Sequence, residues 1–225
     1  MLELDHIFVF TKPKAKELLA TLESHGFDMG RGRIHEGQGT ENQCLFFDHA
    51  YFEAIWERDK EETQLEKPKR ANMPERAHWR DTGFSPFGVA LRFINNDPWD
   101  KPFKTWKYNP GFMPKGSFID VAESNNKTSP FFFIMHDVTR PDQRPEDHPM
   151  PVKQFLNHSN GVNQIREVRI TVPLGEALSE PCQAIEQVGI IEVVRGKEHL
   201  MELYFSDLPT KTIDFRPTDP LVMYI

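Results

Sequence analysis

Two polar residues of types that carry chemistry stand inside apolar segments of this chain. His6 lies in LELDHIFVF, where it shares one face of an extended chain with Leu4, Phe8 and Phe10, and Glu53 lies in the similar segment YFEAIWE. A buried carboxylate without a partner is costly, so Glu53 is expected to pair with His6. An imidazole and a carboxylate are also ligand types that suit Fe(II), Zn, Ni or Mn. The pair therefore indicates either a metal site or a hydrogen-bonded pair that faces a wet cavity.

Other histidines could complete a site with three ligands. His136 directly follows the apolar segment SPFFFIM and is the best candidate for a third metal ligand. His35, His49 and His158 lie in polar loops, where a solvent-exposed imidazole is the usual outcome. No G-x-S-x-G stretch or other signature of a serine or cysteine nucleophile is found.

Composition excludes several classes of function. The 225 residues carry a formal charge of -7 and only two cysteines, Cys44 and Cys182, which are too few for a disulfide framework. The charge gives no general attraction for nucleic acid, and the basic cluster KPKR at 67–70 is expected to be a solvated loop. No segment approaches the ~20 apolar residues of a membrane span, and the first residues do not resemble a secretory signal. We therefore expect a cytoplasmic protein that binds a small molecule, without a nucleic-acid or membrane partner.

The elements that must position His6 and Glu53 are predicted to form an α+β fold. The opening unit contains a strand, a surface helix and two or three further strands, whereas the middle of the chain contains strands without such a helix. The end of the chain repeats the opening outline, with a helix that Ser179 caps and Gly189 ends. We predict a single domain, 1–225, with a first module at 2–60, a strand-rich segment at 84–137 and a last module at 165–225.

Three predictions concern the connecting segments. NMPERAHWRDTG is predicted to be a short helix with Asn72 as its cap and Gly83 beyond its end. The proline-rich loop that begins at His136 is expected to be irregular and to lie on the surface. Five aromatic residues without a regular period are expected either to pack the middle loop against the core or to cover a pocket: Trp99, Phe103, Trp106, Tyr108 and Phe112.

Four segments carry a resemblance to a known family. LDHIFVF, FSPFGVALR, IREVRITVP and above all IHEGQGTENQCLFFDHAYFEAIWE resemble the glyoxalase-like family of the vicinal oxygen chelate superfamily, in outline from residue 2 to about residue 221. The resemblance implies a glyoxalase/bleomycin-resistance-type fold, in which repeated βαβββ modules form a curved mixed sheet around a central cup. Many members hold one divalent metal there, and in the glyoxalase I branch each module supplies one ligand from its first strand and one from its last. His6 and Glu53 match these two positions of the opening module.

The second pair of ligand positions departs from that pattern. If PFGVALRF is the next first strand, the ligand position falls at or beside Gly88, and the matching end of SPFFFIM offers Phe133. Neither residue can bind a metal. The resemblance therefore does not extend to a full site with four ligands.

The last module offers another set of candidates. If it is the partner of the opening module, the first-strand position falls near Arg169, whose charge would favour an anionic or carbonyl-bearing ligand. The alternative is a salt bridge from Arg169 to Glu167 or Glu202. Arg92, in the strand FSPFGVALR, is a second candidate for binding the substrate, and Glu202 is a candidate for moving a proton.

Two functions of different classes follow from the resemblance. The first is a lyase or isomerase that acts on a small carbonyl-bearing or anionic metabolite, with a divalent metal (Zn, Ni, Fe or Mn) at His6, Glu53 and His136. In that reaction Glu53 or Glu202 would shuttle the proton. The alternative is a metal-free protein of the same fold that binds or sequesters a small molecule. A scaffold whose own side chains fill the cup is a third interpretation, and each of these is compatible with a homodimer.

Overall fold

A computed structural model describes residues 1–94, 101–124, 126–148 and 152–225 of the chain. These residues form two mixed β-sheets with short helices along their surfaces. None of the described helices is long and apolar enough to cross a bilayer. The prediction of an α+β fold with mixed sheets is confirmed.

The first sheet is built from two halves of similar outline. The opening half contains β1 (Leu2–Phe10), α1 (Lys16–Ser24), β2 (Gly32–His35), β3 (Thr40–Phe46) and β4 (Tyr51–Glu57). The second half contains β5 (Phe87–Phe93), β6 (Thr105–Tyr108), β7 (Ile119–Ala122) and β8 (Phe131–Met135). Four short helices connect the halves: α2 (Lys60–Thr63), α3 (Glu66–Arg70), α4 (Met73–Ala77) and α5 (Trp79–Thr82).

Strand pairing shows how the two halves correspond. The sheet has the order β2-β3-β4-β1-β5-β8-β7-β6, so β1 and β5 form the seam between the halves. β1 pairs in parallel with β4, as β5 does with β8, and the two first strands run antiparallel to each other. Each half therefore places its first strand beside its last strand at the centre of the sheet.

A bulge in β1 sets which residues face the concave side of this sheet. The pairing of β1 with β5 shifts register between Leu4 and His6. As a result Leu4 packs in the same core as Ile7 and Val9, whereas Asp5 joins His6 on the concave side. The prediction that Leu4 shares a face with His6 is wrong, because strict alternation does not allow for the extra residue of a bulge.

The last module packs behind the first sheet. It contains β9 (Glu167–Pro173), α6 (Glu180–Val188), β10 (Glu192–Gly196), β11 (Leu200–Tyr204), β12 (Thr212–Asp214) and β13 (Leu221–Tyr224), with the sheet order β10-β9-β11-β13-β12. Ser179 caps α6 by accepting a hydrogen bond from the Cys182 N–H, and Gly189 ends this helix with φ 74°, as predicted. One apolar core joins both sheets and both long helices through, among others, Ile7, Leu22, Ile170, Ile185 and Leu203. The last module does not cover the concave face of the first sheet, which is formed by the opening half and the second half.

The connecting segments differ from prediction in detail. The segment NMPERAHWRDTG forms two short helices, α4 and α5, because the backbone leaves the helical conformation at His78. Asn72 precedes α4 but has φ 56° and makes no side-chain cap, whereas Gly83 ends α5 as predicted. The cluster KPKR lies in α3 rather than in a loop, because the helix extends from Glu66 to Arg70. Trp99 lies outside the described residues.

The seam between the halves leads to a stability prediction. Gly88 pairs with Phe8, and a Cβ at position 88 would lie 2.0 Å from the Phe8 ring. Gly88→Ala should therefore lower the free energy of unfolding by about 1–3 kcal/mol in urea denaturation, because the ring has to move. The same substitution should cost much less in a Phe8→Leu background. An equal cost in both backgrounds would show that Phe8 is not the obstacle.

Candidate functional site

A cavity of about 470 Å³ lies on the concave face of the first sheet. Most of its inner wall is apolar and comes from both halves of the sheet. The wall includes Phe8, Ile55, Met73, Phe131, Phe133 and Met135. Such a cavity has the size and character of a small-molecule site, and the few polar side chains in it decide which chemistry it supports.

Asp5 joins a histidine in this cavity to a buried arginine. Its Oδ1 lies 2.6 Å from Nδ1 of His6, and its Oδ2 accepts a hydrogen bond of 2.9 Å from Arg92. Arg92 is 2% exposed and also donates to Glu3 and to the His49 carbonyl. Burial alone would raise the pKa of Asp5, but the hydrogen bonds and charges of His6 and Arg92 outweigh it and lower that pKa. Asp5 is therefore a carboxylate that accepts a hydrogen bond from His6 on one side and from Arg92 on the other.

This contact fixes the orientation of the His6 ring. The ring stacks on Tyr51 at a centroid distance of 4.4 Å and meets the edge of Phe133 at 5.3 Å. Because the carboxylate of Asp5 can only accept, Nδ1 carries the proton in the neutral ring and Nε2 keeps its lone pair. Nε2 makes no hydrogen bond with another described residue, and His6 lines the cavity. The arrangement suits a general base or a ligand of a metal.

Glu53 supplies a second carboxyl group to the cavity, in a different environment. It is 7% exposed, and its Oε1 accepts a hydrogen bond of 2.8 Å from the Asn42 amide and lies 3.9 Å from the Cys44 thiol. Burial raises the pKa of Glu53, although the charge of His6 and the Asn42 hydrogen bond oppose this effect. The expected hydrogen bond between Glu53 and His6 is not formed; Asn42 on the neighbouring strand donates to Glu53, and His6 instead contacts Asp5.

The segment HEGQGT closes one side of the cavity. His35 Nδ1 lies 2.8 Å from the Thr40 hydroxyl, which also accepts from Gln38, and Gln38 in turn accepts from the Tyr108 hydroxyl at 2.9 Å. His35 lies on β2 and Tyr108 on β6, the two edge strands of the first sheet, so this network joins the two edges. Phe112 packs on His35 at 4.5 Å and lines the cavity, as a covering aromatic residue would.

Two of the loop histidines are buried, contrary to the prediction of solvent exposure. His35 is 6% exposed and His158 is 5% exposed, whereas His49 is half-buried. Burial and the charges of Arg33 and His6 lower the pKa of His35 to about 3. His158 accepts from the Asp28 N–H and contacts the Phe46 carbonyl at 2.9 Å. Their loops fold back onto the strands, where nearby hydroxyl and backbone groups satisfy each ring.

The other predicted site residues are widely separated in the structure. His136 lines the cavity, but its Nε2 lies 2.6 Å from Asp120, which also binds Lys101. Arg92 lies behind Asp5 and does not line the cavity. Arg169 and Glu202 lie on the second sheet, away from the cavity.

Arg169 and Glu202 both have partners within the second sheet. Arg169 forms ion pairs with Glu167 at 3.2 Å and Glu192 at 2.5 Å. Glu202 accepts a hydrogen bond from the Tyr224 hydroxyl at 3.0 Å. The expected alternative of a salt bridge for Arg169 is thus present with Glu167.

The donor set does not fit a metal held by protein side chains. Within the described part of the chain, no three His, Cys, Asp or Glu side chains come together in a group that could hold a metal ion. The strand register places Gly88 and Phe133 in the second half where His6 and Glu53 stand in the first. Neither a glycine nor a phenyl ring offers a donor, so these two positions do not supply a second pair of ligands to His6 and Glu53.

Asp5, Asn42 and Tyr51 contribute to the site, but no role was predicted for them from the sequence. Asp5 stands beside His6, and an adjacent carboxylate could have suggested a partner for the imidazole. Asn42 faces Glu53 only through the pairing of two strands, and the sequence does not contain that register. The two-residue period of β4 predicts that Tyr51 shares a face with Glu53, but it does not predict that Tyr51 stacks on His6.

The raised pKa of Glu53 leads to a prediction about stability and pH. The unfolded chain releases the proton of Glu53 near the ordinary pKa of 4.5, whereas the folded protein keeps this proton to a higher pH. The free energy of unfolding therefore falls as the pH rises from the unfolded pKa to the folded pKa, and it stays lower above both. Glu53→Gln should therefore gain stability relative to the wild type as the pH rises above the ordinary pKa of 4.5, measured by urea denaturation. Glu123→Gln, at an exposed position, serves as the control and should show no such change. A Glu53→Gln difference that stays flat with pH would contradict the raised pKa.

Comparison with known proteins agrees with this architecture. A family model described as a glyoxalase-like domain matches residues 4–185, most of the chain. A solved structure, the crystal structure of a hypothetical protein from Staphylococcus aureus, covers 99% of this chain and 99% of its own at 11% identity with a TM-score of 0.55, which shows a shared fold. No curated protein matches the chain. With the family model matching across both halves of the first sheet, the chain belongs to the glyoxalase-like domain family of the vicinal oxygen chelate superfamily.

Proposed function

We propose that this protein is a lyase or isomerase that moves a proton next to the carbonyl group of a small metabolite, with His6 as the general base. The observation that carries the proposal is the 2.6 Å contact between Asp5 and Nδ1 of His6. This contact leaves the Nε2 lone pair for the cavity and stabilises the imidazolium that forms when Nε2 takes a proton. Arg92 keeps Asp5 in place and acts as a positioning residue.

Glu53 has the properties of the matching acid. Its raised pKa favours the protonated form, which can donate a hydrogen bond to a carbonyl oxygen. In the proposed step the C–H bond next to the carbonyl breaks, the proton goes to Nε2 of His6, and the electron pair moves to the carbonyl oxygen. Glu53 donates a hydrogen bond to this oxygen, or gives it a proton and takes that proton back when the carbonyl forms again. The imidazolium gives its proton to a carbon atom of the enol system, which completes an isomerisation and restores both groups. The two carboxyl groups, Asp5 and Glu53, have pKa values shifted in opposite directions, as acid–base roles of this kind require.

Binding without turnover is a second candidate function. The aromatic wall formed by Phe8, Phe131 and Phe133 could hold an apolar ligand whether or not His6 reacts. The two candidates share the cavity and differ in what His6 does. An experiment that detects proton transfer therefore separates them.

Hydrogen exchange tests the proposed proton transfer directly. A panel of small 2-oxo acids, 3-oxo acids and ketones is incubated with the protein in D2O, and the loss of the proton next to the carbonyl is followed by NMR. At least one compound should exchange, and His6→Asn should slow that exchange by about 10²–10⁴-fold, the usual contribution of a general base. His25→Asn, remote from the cavity, is the matched control and should exchange at the wild-type rate.

The same assay also tests the role of a metal. Because no three His, Cys, Asp or Glu side chains of the described residues form a group that could hold a metal, dialysis against a chelator should leave the exchange rate unchanged. Loss of exchange in chelator, restored by a divalent ion, would contradict this expectation and support the metal-dependent lyase or isomerase. Binding of a compound without exchange of any proton would support the second candidate function, binding without turnover.

A further inference from the structure

A buried arginine lines the cavity, and one of its amino groups has no hydrogen-bond partner among the described residues. Arg144 is 6% exposed and lines the cavity, and its Nη1 is buried without a hydrogen bond. No carboxylate of the described residues forms an ion pair with its guanidinium, in contrast to Arg140. An uncompensated buried charge destabilises a fold, so a folded chain that retains one points to a group that binds there.

The surroundings of Arg144 are apolar. Its Cζ lies 6.0 Å from the centre of the Phe46 ring, and Phe46 packs with Val152 and Leu156. By contrast, the neighbouring Arg140 forms a two-pronged ion pair with Asp142 at 3.1 and 3.0 Å. The same loop thus contains one arginine that pairs with a carboxylate and one that has no such partner among the described residues.

We propose that Arg144 binds the carboxylate group of a small ligand whose apolar body fills the cavity. A guanidinium matches a planar carboxylate through two parallel hydrogen bonds, and one buried cation neutralises one negative charge. A phosphate dianion would need further donors at the same depth, whereas Arg31 and Arg33 are exposed at the rim. The apolar walls of the cavity suit an aromatic or aliphatic body rather than a second charged group.

This subsite lies next to the reacting group. Arg144 lies over the Phe46 ring, which is 5.3 Å from the Tyr51 ring, and Tyr51 stacks on His6 at 4.4 Å. A carboxylate held by Arg144 would therefore bring its neighbouring carbon atoms toward His6. The reaction of such a ligand rests on the proposed function, whereas its binding does not.

Calorimetric titration with a pair of isosteric probes tests the proposal. The probes are 3-phenylpropanoate and 3-phenylpropanamide, which differ in charge and hardly in shape. The wild type should bind the carboxylate at least about tenfold more tightly than the amide, as a charge-assisted two-pronged pair implies. Arg144→Gln should bind both probes alike, and Arg144→Lys should retain part of the preference because it keeps the charge but not the fork.

Two controls keep this test independent of folding. Arg140→Gln removes a neighbouring arginine that already has a partner, and it should retain the full preference for the carboxylate. Without ligand, Arg144→Gln should melt at or above the wild-type temperature, by up to about 2–4 °C, because it removes an unpaired buried charge. A large drop in melting temperature would show that Arg144 holds the fold together, and it would contradict the proposal.

Other results of the titrations would also test whether Arg144 binds a carboxylate. Equal binding of the two probes by the wild type, no binding of either, or a preference that survives in Arg144→Gln would overturn the proposal. So would binding of inorganic phosphate that depends on Arg144 when the carboxylate does not bind. His6→Asn should keep the preference for the carboxylate while losing hydrogen exchange. Exchange by the wild type without any carboxylate preference would leave the proposed function standing and remove the role of Arg144.

Discussion

The carboxylate of Asp5 is shared between a histidine in the cavity and an arginine from the other half of the sheet. This shared contact crosses the seam between β1 and β5, because Asp5 lies on the first strand and Arg92 on its antiparallel neighbour. Removal of Asp5 would leave the Arg92 charge buried with one partner fewer and would release the His6 ring, at a cost of about 3–5 kcal/mol. The same bond therefore holds the halves together and sets the chemistry of the cavity.

The two halves of the first sheet contribute different kinds of side chain to the site. The opening half supplies His6, Glu53 and Asn42. The second half supplies mostly apolar side chains, together with His136, and has Gly88 and Phe133 where a symmetrical site would have donors. The last module covers the back of the sheet and leaves the concave face open. This asymmetry favours acid–base chemistry on a ligand held in an apolar cavity over a metal held by four protein ligands.

The pattern of polar residues in apolar strands was sufficient to predict that His6 and Glu53 face one cavity, and the repeated strands were sufficient for the α+β fold. The bulge that brings Asp5 beside His6 could not be predicted, because it depends on pairing with β5. Arg169 was expected near the ligand because the last module resembles the opening one, but a repeat does not tell which face of the sheet it covers. Arg144 went unnoticed in a proline-rich loop that was expected to lie on the surface.

The tautomer of His6 is the most direct test of how the site works. Long-range ¹H–¹⁵N correlation spectra of the neutral imidazole distinguish a protonated ring nitrogen from one with a lone pair. We expect Nδ1 of His6 to carry the proton and Nε2 to have the lone pair, and we expect this preference to be lost in Asp5→Asn. A proton on Nε2 in the wild-type protein would contradict the proposed role of Asp5 and of His6 as the base.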